Sequence, residues 1–118
     1  MATLNSYRFV GPTTAITVTA SSSTSVTITP TGNDQTNYCA FLNASSNPVA
    51  ITITPLLLGA SVTAPAAVLP TGGNTSKSFV LGINMSQPTV LAVPPNFAIT
   101  TIGTAGTTLY VMPVIDSN

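Results

Sequence analysis

Short runs in which Thr or Ser alternates with Val or Ile, closed off by Pro, Gly and Asn, constrain the fold of this chain more than any other feature. Ala15-Ile16-Thr17-Val18-Thr19, Ser25-Val26-Thr27-Ile28-Thr29 and Val49-Ala50-Ile51-Thr52-Ile53-Thr54 are the clearest of them. Successive side chains of a strand point to opposite faces, so each run builds a strand with aliphatics inward and hydroxyls outward. Further strands are predicted over residues 7–10, 38–43, 78–83, 89–93, 97–102 and 107–111, which gives about eight or nine strands of ordinary length and leaves no competing helical window.

The segments between the runs carry turn chemistry: Gly11-Pro12, Pro30-Thr31-Gly32-Asn33-Asp34, Ser45-Ser46-Asn47-Pro48, Thr71-Gly72-Gly73-Asn74, Pro94-Pro95-Asn96 and Gly103-Thr104-Ala105-Gly106. Strands recurring about every ten residues with turns between them predict an all-β antiparallel sandwich, and two packed sheets of about four strands each predict a jelly roll. With 118 residues there is room for a single domain, 1–118. Residues 1–6 are expected to form a flexible arm. Residues 55–70, where alternation is weak, are expected to form a long apolar loop whose aliphatics lie against something.

Charge narrows the function. Arg8, Asp34, Lys77 and Asp116 are the only charged residues, 3% of the chain, where a typical soluble domain carries about a quarter. Formal net charge is zero and the chain has no His. No basic stripe can gather phosphates, so nucleic-acid binding is not expected. Without His or Glu, general acid–base schemes and the commonest metal sites lose their working parts, so the expectation is a non-enzyme with no cofactor and no metal. A free surface this poor in charge lacks the usual protection against association, which points to a chain packed against other copies or a partner. No secretory signal is evident at Met1-Ala2-Thr3-Leu4-Asn5, and the most apolar stretch is interrupted by Gly59 and Pro65, so no membrane partner is expected.

Local constellations offer little chemistry. Ser76-Lys77-Ser78 brings hydroxyls next to an amine, but neighbours on a strand face opposite ways, and a solvated strand start is the better reading. Asp34 and Asp116 are the only carboxylate side chains, too few for a calcium site; Asp34 suits an Asx-turn. The sequons at Asn43, Asn74 and Asn84 read as chance in a Ser/Thr-rich chain. The Thr-x-Thr pairs lack the constant interval of an ice-binding ladder. The aromatics, 6% of residues without a Trp, fit core packing better than a stacking platform. Cys39, alone, cannot form an internal disulfide and reads as a half-buried strand residue.

The block Tyr38-Cys39-Ala40-Phe41-Leu42-Asn43-Ala44-Ser45-Ser46-Asn47-Pro48-Val49-Ala50-Ile51-Thr52-Ile53, then Val68-Leu69-Pro70-Thr71-Gly72-Gly73, Phe79-Val80-Leu81 and the closing Ile99-Thr100-Thr101-Ile102-Gly103-Thr104-Ala105-Gly106-Thr107-Thr108-Leu109-Tyr110-Val111 resembles the small jelly-roll cement, or decoration, proteins of tailed-bacteriophage capsids. The resemblance implies that the strand ending in Asn43 passes through a polar turn to a paired strand, and that Gly103 to Thr107 closes a hairpin. It covers about the last two thirds of the chain, and the chain departs from the family in its scarcity of charge and its Ser/Thr-rich residues 13–29.

By that resemblance the expected role is a structural virion protein, assembled in a bacterial host's cytoplasm. It would form a homo-oligomer, trimer or dimer, on the capsid surface and cement the major capsid protein. A charge-poor surface suits such burial because no ions need desolvating. The expected contact residues are Met1, Leu4 and Tyr7 from the arm and Leu56, Leu57, Leu58, Val62 and Val68 from the loop. The competing expectations are a tail or fibre module that binds a host glycan and a head–tail connector component.

Overall fold

The computed structural model describes residues 7–21, 25–29, 37–56, 65–73 and 75–116. Nine strands follow in chain order: β1 Tyr7–Phe9, β2 Thr14–Val18, β3 Val26–Ile28, β4 Asn37–Leu42, β5 Val49–Pro55, β6 Phe79–Leu81, β7 Thr89–Val93, β8 Phe97–Ile102 and β9 Thr107–Asp116. No helix occurs among the described residues. The strands form two antiparallel sheets packed together as a β-sandwich. One is five-stranded in the order β1-β9-β4-β7, with β2 also paired to β9, and the other is four-stranded in the order β3-β8-β5-β6.

The alternating runs produce the core directly. Ile16 and Val18 of β2, Ile28 of β3, and Val49 and Ile51 of β5 are buried, and they meet Cys39, Phe41, Leu81, Phe97, Ile99, Leu109 and Val111 in one cluster drawn from both sheets. The intervening Thr17 and Thr27 are exposed, so these strands separate apolar and hydroxyl faces as expected.

Strand β9 runs beyond the predicted 107–111 to Asp116 and passes through Pro113. Proline removes a ladder donor and is tolerated only where that donor has no partner. Here the neighbouring edge is broken. β1 pairs with β9 in the register Phe9↔Val114, and β2 resumes at Thr14↔Val111, so residues 10–13 bulge out opposite Pro113. The Pro113 carbonyl accepts from both Val10 N (3.0 Å) and Gly11 N (3.3 Å). The missing N–H of Pro113 faces this same gap, since N–H and C=O of one strand residue point the same way. Gly11 sits at φ 49° with a cis bond to Pro12, and the Phe9 ring occupies the space a side chain at Gly11 would need.

Two expected pairings are corrected. β4 and β5 lie in different sheets, as do β8 and β9, so the Asn43–Pro48 and Gly103–Gly106 turns carry the chain over the sandwich edge and do not close hairpins. Turn residues dictate reversal, not which sheet the next strand joins. That choice follows from burial, because Phe41 and Val49 on either side of the first turn are both fully buried in the shared core. Asn43 ties the first turn together. Its side chain is fully buried; Nδ2 donates to Asn47 O (2.8 Å) and Gly82 O (3.0 Å), while Oδ1 accepts from Ser45 N (3.2 Å) and Ser45 Oγ (2.7 Å). The amide nitrogen of this sequon is thus committed to the fold.

Candidate interaction surface

The register places outward side chains of the five-stranded sheet in cross-strand rows: Thr17–Thr108, Ala15–Tyr110–Leu42, Met112–Ala40–Val90 and Phe9–Val114–Tyr38–Ala92. Apart from the Thr17–Thr108 pair, every member is aliphatic or aromatic, where a two-layer sandwich normally presents polar groups. Ala40 and Val114 are only 3% and 8% exposed despite facing outward, while Phe9 and Tyr110 are 58% and 39% exposed. Tyr7 adds to this face at its rim, its ring edge-on to Tyr38 with centroids 5.5 Å apart. Asp116, the register partner of Tyr7, ends β9 at the same rim. None of the described side chains on the face carries a charge. The described side chains of the three apolar rows offer apolar area and tyrosine hydroxyls.

The other sheet is treated differently. Its outward side chains include Thr27, Thr52, Thr54 and Thr100, and the chain's own residues 65–70 lie across them. Thr100 Oγ1 donates to Pro65 O (2.8 Å), and Ala67 is 2% exposed. The hydroxyls of the Ser-Lys-Ser segment pin this crossing. Ser76 Oγ donates to Val68 O (2.7 Å), Ser78 Oγ accepts from Val68 N (2.9 Å), and Ser78 shares a hydrogen bond with Thr52 (2.7 Å). Both serine hydroxyls hold backbone in place, and exposed Lys77 lines an open groove of about 490 Å³ with Ile53, Pro65 and Val68.

Of the residues expected to make contacts, Tyr7 lies on the outer face of the five-stranded sheet. Val68, exposed, lies over the four-stranded sheet. Leu56 is half-buried at the end of β5, its N–H donating to Asn96 O (2.9 Å). The structure therefore puts Tyr7 and Val68 on opposite sides of the sandwich. Met1, Leu4, Leu57, Leu58 and Val62 lie outside the described residues.

The rows of the five-stranded sheet were missed by a reading keyed to alternation. Their signal is the opposite pattern: Tyr38-Cys39-Ala40-Phe41-Leu42, Val90-Leu91-Ala92-Val93 and Leu109 to Ile115 are unbroken apolar runs, the mark of strands covered on both faces. Cys39 faces the core, where burial pushes its thiol up to about 11, which leaves it a neutral packing residue. Comparison with protein-family models, with curated proteins and with solved structures gave no match.

Proposed function

We propose that this chain is a structural virion protein that oligomerises and binds the outside of a phage head, cementing major capsid protein subunits. The observation that carries the reading is the three apolar cross-strand rows on the outer face of the five-stranded sheet, on a chain with four charged residues in all. A free monomer gains nothing from such a face, whereas a subunit of a shell buries it without desolvating ions. The jelly-roll expectation is supported by strand order: β2-β9-β4-β7 over β3-β8-β5-β6 sends most connections across from one sheet to the other, as two wrapped Greek keys do.

The test is to add the purified chain to heads that lack it. Co-sedimentation, with heads that then resist heating better, is the expected result; chain left in the supernatant at high micromolar concentration contradicts the proposal. A second reading, a tail or fibre module for a host glycan, is favoured by the exposed rings of Phe9 and Tyr110, on which a sugar face could stack. It predicts binding on a glycan array and none to heads.

A further inference from the structure

Two connections that carry the chain from one sheet to the other are laced together at the sandwich edge. Residues 43–48 link β4 to β5, and residues 82–88 link β6 to β7. Asn84 N donates to Ser45 O (2.7 Å) and Met85 N donates to Asn43 O (3.0 Å). In return the Asn43 backbone N–H donates to the Met85 thioether, with N and Sδ 3.4 Å apart. Asn84 makes this clasp possible by turning the chain at φ 51°, a left-handed conformation that asparagine tolerates. Met85 packs against the core cluster and is only half-buried, so its sulfur serves as a hydrogen-bond acceptor within reach of solvent.

We propose that Met85 is an oxidation site whose conversion to the sulfoxide by a peroxide unfastens this clasp. A sulfur lone pair attacks one peroxide oxygen as the O–O bond breaks and an S–O bond forms. Sulfur gives up two electrons, and the second oxygen leaves as water with both hydrogens of the peroxide. The geometry selects the lone pair. One is engaged by the Asn43 N–H, and 3.4 Å leaves no room for an oxygen between the two atoms. Attack therefore comes through the other lone pair, and because a sulfoxide sulfur is a stereocentre, the folded chain yields one epimer. The consequence follows from the same bond. The sulfur of a sulfoxide is electron-poor and a poor acceptor, so the N–H of Asn43, a fully buried residue, loses its partner, and a polar oxygen enters a site built for an apolar side chain.

The test exposes the full chain to dilute hydrogen peroxide, once folded and once in concentrated urea. Each sample is digested with chymotrypsin, and Met85 is read by mass spectrometry before and after each of two epimer-specific sulfoxide reductases. The folded sample should be oxidised at Met85 and repaired by one reductase only, whereas the urea sample should be repaired in part by each. Oxidation should lower the melting temperature of the wild type by about 5 °C and quicken hydrogen exchange at the Asn43 amide at least about tenfold. Met85→Leu keeps the apolar volume without the sulfur, so the same treatment should leave its melting temperature unchanged. If that variant does not fold, Asn43 exchange in the wild type carries the comparison. Three results overturn the proposal: Met85 left reduced while Met112 is oxidised, both epimers in equal amount from the folded chain, or oxidised Met85 with melting and Asn43 exchange unchanged.

Discussion

Replacing Asn43 tests whether one buried amide holds the sandwich edge together. Its side chain makes four hydrogen bonds, two donated to the carbonyls of Asn47 and Gly82 and two accepted from Ser45. At about 1 kcal/mol net for each, Asn43→Ala should cost about 4 kcal/mol, a large share of the roughly 5–15 kcal/mol by which a domain is stable. With a urea dependence of about 1.5 kcal/mol per M, the unfolding midpoint should fall by about 2.7 M. Tyrosine fluorescence is a suitable probe in a chain without Trp.

Asn43→Asp sharpens the test. It keeps the oxygen that faces Ser45 and turns a second oxygen toward two carbonyls, so its ionised form is disfavoured in the fold and its pKa is raised above the unfolded value of about 3.9. A raised folded pKa makes the stabilising contribution full below about pH 4 and lost as pH rises through the folded value, so this variant should be more stable at pH 4 than at pH 7. The wild type, with two carboxylate side chains and no His, supplies a nearly flat background. A cost below about 1 kcal/mol for Asn43→Ala, against the expected loss of four bonds, or an Asn43→Asp variant whose stability does not change between pH 4 and 7, refutes the reasoning.

Other outcomes follow from the same geometry. Gly11→Ala meets the Phe9 ring at 2.6 Å and a φ of 49°, and should lower stability by about 2 kcal/mol, read as a drop in melting temperature. Cys39, with its thiol pushed up to about 11, should resist a disulfide reagent at pH 8 until the protein is unfolded. Its raised pKa also makes part of the stability full below about pH 9, the ordinary thiol value, and lost as pH rises toward 11. Attachment to heads should be nearly insensitive to salt from low to molar concentration, because few charges are present to be screened; release by salt alone would sink the apolar account of binding. Deleting residues 1–6 should weaken head binding while leaving the fold intact, and unchanged occupancy would remove the arm from the contact.

The all-β class and most strand positions were legible because Ile16 and Val18, and Val26 and Ile28, alternate with Thr and each such run becomes a half-buried strand. The crossing segment was legible in part. Its aliphatics and weak alternation indicated a stretch lying against something, and residues 65–70 do lie on the four-stranded sheet. The far end of β9 was not legible, since Pro113 reads locally as a terminator and its tolerance depends on a bulge at residues 10–13, a hundred positions away in sequence. Sheet membership was hidden for a related reason: the turns at Asn43–Pro48 and Gly103–Gly106 are local, whereas the choice of sheet is made by the shared core. The apolar face was hidden because an unbroken run such as residues 38–42 states that both sides are covered without stating by what.

The measurement closest to the central claim is copy number: the abundance of this chain relative to the main shell protein in purified particles of its source, by calibrated mass spectrometry. A lattice-wide cement protein predicts near-stoichiometric abundance, with hundreds of copies expected on a head. A handful of copies, or none, contradicts it.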